Sequence, residues 1–422
     1  METVSPVVKL KRRSRENLTV VNARHNLDFI YNLANKYMNS KDLTYRRPMS
    51  QVTAFTVALV ILSLLGQVRT TSADNAEFNR RATATAQILA GITPNPLDPA
   101  LTRLVESDTF KEHQQAMASS WAQVRGRIQT METWRTQEIR IPSAQKKALL
   151  YPFSGPDFLN AYTLFPDHGR YVFFSLERPG TLPDLESVTP VQFTKLLQDV
   201  RSAFHDIFER NYFITSYMSK QLTSPWIRGT VPVMATMMAL MNRRIVRIEP
   251  LDLFPELTQA YDLPDAQRPR VLMRAVRIEF ANPSTSGVQQ LYYVTLDATD
   301  KALEFYPEFL DWAGQHKPST VLIKSASYLL HDPQFSKTRD MLLGTADVVV
   351  QDDTGIPYRF ISQTPWHVKL YGRYNKPIRP LRYGYQKDLE AAYSSQQEPA
   401  PLPFPFGYHW RGQKSGLIIA HR

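Results

Sequence analysis

Between Pro48 and Val68 the chain carries no charged residue, and the centre of that stretch, Phe55-Thr-Val-Ala-Leu-Val-Ile-Leu-Ser-Leu-Leu65, is strongly apolar. A charge in the middle of a spanning helix costs about 2.5–3.5 kcal/mol on the mildest scale, so a charge-free run of this length points to a membrane. Lys41, Arg46 and Arg47 stand just before the run, and Arg69, Arg80 and Arg81 are the first basic residues after it. Ten Lys/Arg against four Asp/Glu in residues 1–50 place the N-terminus in the cytoplasm and residues beyond about 70 on the far side. A spanning anchor needs about 20 apolar residues, and Thr53, Thr56 and Ser63 interrupt this one. Val52–Gly66 also fits the apolar core of a secretory signal, with Thr71-Ser-Ala73 as the small residues before a cut. The basic leader is long for such a signal, and translation from Met38 would give it ordinary proportions. A buried helix of a globular domain is the third reading, and the basic flank counts against it.

The net charge of +11 belongs to the two ends. Residues 1–50 sum to +6, Arg69 adds one, and residues 365–422 sum to another +6, which leaves 74–364 at −2. A nearly neutral body and predicted export leave nucleic acid out as a partner. No cysteine is present, which excludes disulfides, thiolate zinc sites, iron–sulfur clusters and thiol catalysis. With 43% hydrophobic residues the chain has ample material for a core.

The organisation reads as a basic leader (1–47), a signal or transmembrane segment (48–73), a helical region (74–145), an α/β domain (146–364) and a basic, aromatic, proline-rich section (365–422) packed on it. Asp74–Leu89 and Asp108–Trp134 have helical composition, with Met117, Trp121, Val124 and Ile128 on one face. The period then changes. Strands are predicted at 148–153, 170–177, 244–249, 271–281, 289–296, 320–324, 347–351 and 417–420, and helices at 158–164, 190–210, 225–242, 304–315 and 335–343. Strands alternating with helices, with 271–296 as an antiparallel excursion, predict an α/β fold with a mixed sheet flanked by helices.

Tyr151-Pro-Phe-Ser-Gly-Pro-Asp157 links a strand to a helix, and Glu177 ends the next strand. A glycine turn there lets backbone N–H groups face a ligand, with Gly155 at the approach, and an acid about 20 residues on accepts ribose hydroxyls. Ser154, Asp157 and Glu177 are therefore the candidate catalytic residues. The same residues also fit a helix start, with Ser154 as cap and Asp157 at the third position. A hydrolase would need a histidine to converge on Ser154, and the nearest following one is His168. His205, Asp206 and Glu209 share a helix without a metal-binding spacing, so no metal site is assigned. Asp352-Asp-Thr-Gly355 has the composition of a hairpin turn. Across 366–385, Trp366, Tyr371, Tyr374, Tyr383 and Tyr385 interleave with Lys369, Arg373, Lys376, Arg379 and Arg382, a pattern suited to sugars, anionic polymers or lipid headgroups, and Trp366, Lys369, Tyr371, Arg373 and Tyr374 are the candidate ligand-binding residues.

Phe153-Ser-Gly-Pro156 is similar to the first motif of some S-adenosylmethionine-dependent methyltransferases, which would imply a nucleotide cofactor, although a second glycine two residues after Gly155 is absent. The blocks at 151–158, 324–330, 351–357 and 405–410 resemble those of exported bacterial proteins to which no activity is attached. Together these readings predict an envelope protein, periplasmic, secreted or anchored by residues 48–68, whose α/β body binds a glycan, lipid or protein partner. The alternative is an enzyme, a hydrolase or methyltransferase-like transferase, centred on Ser154–Asp157 and Glu177; the cofactor is otherwise unknown.

Overall fold

Nine strands form one mixed sheet: β1 (Ala148–Pro152), β2 (Arg170–Ser175), β3 (Arg244–Leu251), β4 (Arg274–Ala281), β5 (Val288–Thr295), β6 (Ser319–Ile323), β7 (Ala346–Gln351), β8 (His367–Gly372) and β9 (Gly416–His421). Their order is β3-β4-β5-β2-β1-β6-β7-β9-β8. The five central strands, from β5 to β7, are parallel. Strands β3, β4 and β9 pair antiparallel with their neighbours, as does β8 with β9. The computed structural model describes residues 77–141, 148–213, 227–251, 253, 272–283, 287–317, 319–395, 399–411 and 414–422. They lie in one compact unit, Thr71–Arg422. The apolar run 48–68, and with it the predicted signal or membrane helix, is outside the described residues. Among the described residues no helix is long and apolar enough to cross a membrane.

Alternation along the strands explains the layers. Leu149, Tyr151, Tyr171, Phe173, Phe280 and Tyr293 face one core, whereas Leu150, Val172, Phe174, Val294, Val321 and Ile323 face the other. Parallel strands covered on both sides are apolar throughout, and every residue of β1 and β6 is buried. The first core is roofed by α1 (77–89), α2 (Asp108–Glu138), α3 (Phe158–Leu164), α4 (Pro190–Arg210) and α5 (Val231–Leu240). The second is closed by α6 (Pro307–Gly314), α7 (Ser336–Thr345) and α8 (Lys387–Ser395). Helix α4 starts at a capping box, with the Thr189 hydroxyl accepting from Gln192 N and the Gln192 side chain returning to Thr189 N.

The helical residues from 77 onward thus form a layer over the sheet, and residues 365–422 supply two of its strands. The 225–242 expectation shortens to α5, Val231–Leu240, and 214–226 lie outside the described residues. One local expectation is corrected. Asp352–Gly355 is not a hairpin turn, because β7 continues into a helical turn, Tyr358–Ile361, and its antiparallel neighbour β9 comes from much later in the chain.

The topology places a crevice. From β1 the chain crosses through α3, on the first face, to β2 on one side. From β6, on the other side of β1, it crosses through α7, on the second face, to β7. The connections leaving β1 and β6 therefore diverge to opposite faces. Such a switch point opens a crevice beyond the carboxyl ends of the two strands, where open α/β sheets bind ligands.

Candidate functional site

Each of the two strands at the switch point ends in an ionisable residue that is withdrawn from water. Asp157 follows β1 and Lys324 follows β6, with 2% and 3% of their surfaces exposed. The Lys324 ammonium lies 2.9 Å from Asp157 Oδ2. It also donates to the backbone carbonyl of Asn211, the left-handed residue (φ 65°) that ends α4. Burial pulls the Lys324 amine below the usual lysine range, and the Asp157 charge opposes that pull.

Asp157 is held from several sides. Its carboxylate accepts the Tyr151 hydroxyl at 2.9 Å, the Asn160 backbone N–H at 3.1 Å and the Asn160 side-chain amide at 2.9 Å. Asp157 is itself the N-cap of α3, so the expected cap at Ser154 is displaced by three residues. Pro156 precedes the helix, and the Ser154 hydroxyl donates instead to the Gly155 carbonyl at 2.9 Å. Arg127 of α2 donates to the Ile207 and Phe208 carbonyls at the end of α4; burial lowers its pKa to about 10, and the Asp157 charge opposes that pull.

Beyond β7, Asp352 accepts the Ser325 N–H at 2.8 Å and the Thr354 N–H at 2.9 Å, and its burial raises its pKa. Asp353 accepts the Tyr328 hydroxyl, and burial together with the neighbouring Asp352 charge raises it to about 7. Four non-glycine residues on the two loops take left-handed backbone angles: Phe153 (φ 55°) after β1, and Ser325 (54°), Ser327 (52°) and Tyr328 (58°) after β6. Such conformations cost about 1 kcal/mol or more each and cluster where a fold holds a site.

The crevice is filled by the chain itself. Residues 399–411 cross it as an extended strap. The Pro405 carbonyl accepts the Asn211 side-chain amide at 2.9 Å, and the Tyr408 hydroxyl donates to the Ser325 carbonyl at 2.8 Å. Gly407 (φ 67°) packs so closely that a Cβ there would sit 2.2 Å from Asp352 Oδ2. Glycine is required at that position both for its angle and for its size.

The structure brings Ser154, Gly155 and Asp157 to the crevice and places Glu177 elsewhere. Glu177 sits on the β2–β5 side, where Ser175 and Tyr293 hydroxyls reach its carboxylate and Thr295 Oγ1 reaches its backbone carbonyl at 2.8 Å. Burial raises its pKa. His168 does not join Ser154 as a base: its Nε2 pairs with Thr320 Oγ1 at 3.0 Å on β6. His205 pairs with Glu209 at 3.2 Å on the exposed side of α4 while Asp206 faces Arg210. Among the described residues no group of three His, Asp or Glu could hold a metal ion.

Within 366–374, residues 367–372 form a strand in which Leu370 and Tyr371 are buried in opposite cores while His367 and Lys369 stay exposed. Tyr371 is buried and donates to Glu138 at the end of α2 at 2.8 Å, beside Lys369, which pairs with the same carboxylate at 2.6 Å. Trp366 lies under the Arg422 guanidinium, 4.5 Å from its ring centre, and Tyr374 stacks on Tyr393. Lys369 and Arg373 are the two of the five that are left exposed.

Sequence reasoning missed Lys324, Asn211 and Arg127. The one available signal was Lys324 itself, a lone charge directly after the apolar Thr320–Ile323. No family model matches the chain, and neither a curated protein nor a solved structure matches it, so both resemblances rest on their short blocks.

Proposed function

We propose that the chain is an exported or membrane-anchored envelope protein whose α/β body binds a ligand or partner without chemical turnover. The observation that carries this reading is the filled crevice. Where an open α/β enzyme would admit substrate, Lys324 pairs with Asp157, Asp352 accepts the Ser325 N–H, and the strap 399–411 packs against them. Charges arranged in this way stabilise one conformation and leave no group free to react. The charge-free run 48–68 with its basic flank supports export.

The test is the N-terminal residue and cell fraction of the chain made in its own host, combined with the paired variant Asp157→Asn/Lys324→Met. The reading expects the body outside the cytoplasm and the paired variant, once folded, to keep the chain's cellular role. A soluble cytosolic chain, or loss of that role in a stably folded paired variant, overturns it.

A second reading draws on the four left-handed residues around the crevice. In an enzyme whose strap lifts, Lys324, its amine lowered by burial, would be the base or nucleophile beside Asp157. Turnover that appears when residues 399–411 are displaced, and vanishes in Lys324→Met, would select it.

A further inference from the structure

Most of the exposed cations of the C-terminal section gather on one face, at the carboxyl end of the sheet. Strand β8 runs in the same direction as β7, so the chain leaves Gly372 on that face. From there it presents Arg373, Lys376, Arg379, Arg382 and Lys387, all exposed, and no acidic residue occurs between Asp353 and Asp388. The strap adds Arg411 and Lys414. The two segments are fastened together: Arg373 N donates to the Ser415 carbonyl at 3.0 Å and the Asn375 amide to the Lys414 carbonyl. Tyr383 and Tyr408 both hydrogen-bond Ser327, at 2.9 and 2.7 Å.

Aromatic rings stand among these cations. Tyr383 and Tyr385 are 69% and 42% exposed, large values for tyrosine in a folded body. Lys376 lies 5.6 Å from the Tyr385 ring centre and Arg411 4.8 Å from that of Trp410. Asp388 and Glu390 stand at the start of α8, and Glu390 already accepts the Tyr385 hydroxyl. The cleft that opens here beside Asp353, Arg373 and His409 has about 10 Å³ of free interior, room for about one water. It seats no sugar ring. A face of cations and half-exposed tyrosines suits a surface, since tyrosine settles at the headgroup level and each Lys or Arg adds attraction to anionic lipid.

We propose that this face docks on anionic phospholipid headgroups, so that the carboxyl end of the sheet lies against the bilayer. The inference deepens the binding reading above and borrows from it only the membrane segment at 48–68.

Because the chain has no cysteine, one introduced residue gives a unique label. The full chain carrying Lys387→Cys, or Gln315→Cys beside the amino end of β6 as control, is labelled with an environment-sensitive fluorophore. Each is reconstituted with vesicles of phosphatidylcholine alone or mixed with phosphatidylglycerol. The expected result is a blue shift at position 387 in the anionic vesicles only, reversed by high salt, with no shift at 315. Combining Lys376→Gln, Arg379→Gln and Arg382→Gln abolishes the shift. An equal shift in neutral vesicles, no shift in anionic ones, a shift that survives the triple replacement, or a shift elicited only by a soluble anionic polymer overturns the inference. Flotation with neutral vesicles reports separately on 48–68: a chain that fails to float sinks the anchor and leaves the label's answer standing.

Discussion

Breaking the Lys324–Asp157 pair should be among the most damaging single changes in the molecule, and removing both charges should be far less so. Asp157→Asn keeps a side chain that caps α3 as well as aspartate does, so the cap drops out of the comparison. What remains is a buried ammonium with the Asn211 carbonyl as acceptor and no adjacent countercharge. Leaving one partner of a buried pair uncompensated costs about 3–5 kcal/mol. Lys324→Met belongs at the lower end, about 3 kcal/mol, because the Asp157 carboxylate retains Tyr151 and Asn160 as donors. In Asp157→Asn/Lys324→Met neither charge is desolvated, and the double variant should be at least about 2 kcal/mol more stable than the sum of the singles predicts. Urea unfolding of the four proteins at pH 7 measures all three quantities. Single losses under about 1 kcal/mol, or additivity within about 0.5 kcal/mol, would refute the argument that the two buried charges compensate each other and that halving the pair endangers the fold.

Other consequences follow from the same structure. His113 is fully buried, donating from one ring nitrogen to the Leu89 carbonyl at 2.9 Å while the other faces Arg201 at 3.2 Å, and burial lowers it to about 4. Its folded value lies below the unfolded one, near 6.5, so the unfolded chain takes up the proton first and stability falls as pH drops from 6.5 towards 4. In His113→Gln the slope of unfolding free energy against pH in that window should be shallower by about one proton; an unchanged slope removes His113 from the account. Asp353 works in the opposite sense. Raised to about 7, it keeps its proton in the folded state between about pH 4 and 7 after the unfolded chain has lost it, so its contribution falls as pH rises through that window. Asp353→Asn should abolish this component, seen as a smaller stability difference between pH 5 and pH 8 than wild type shows once the histidine term is matched. Gly407→Ala forces a left-handed alanine against Asp352 and should destabilise by about 2 kcal/mol or more, with faster proteolytic cleavage within 399–411. Unaltered cleavage would mean that the strap is not held through Gly407.

Much of this architecture could be read from the chain because its determinants are local. Thr189, Pro190 and Gln192 mark the start of α4 within four residues, and the apolar spacing from Phe193 to Ile207 fixes which side it buries. The apolar runs at β1, β6 and β7 announced central strands in the same way. The site was only half legible, for the opposite reason. Tyr151–Asp157 was singled out as a strand-to-helix turn, but the meaning of Asp157 depends on Lys324, which reaches it through strand order. Nothing near Asp157 in sequence shows that β6 lies beside β1. The Asp352–Gly355 turn misled because its composition suits a hairpin, while the strand that pairs with β7 is β9. In 366–374 the interleaving of cations and rings was real, but strand alternation sends Leu370 to one core and Tyr371 to the other. The cations and rings that stay exposed continue past the strand, in the irregular chain after Gly372.

The position of β9 bears on when the fold can be finished. It is made of residues that follow every other strand in the sequence, yet it lies between β7 and β8 and is the only element that hydrogen-bonds β8 to the rest of the sheet. A growing chain that has already made β8 therefore has nowhere to add it, and the edge of β7 stays open until residues 416–421 emerge. The strap over Lys324 is held back as well, because the Phe406 N–H donates to Ser415 Oγ at 2.8 Å. Folding is thus timed late, by a handful of residues that act as a closing key. On the export reading proposed above, such a delay would keep the chain pliable for the longest part of its synthesis.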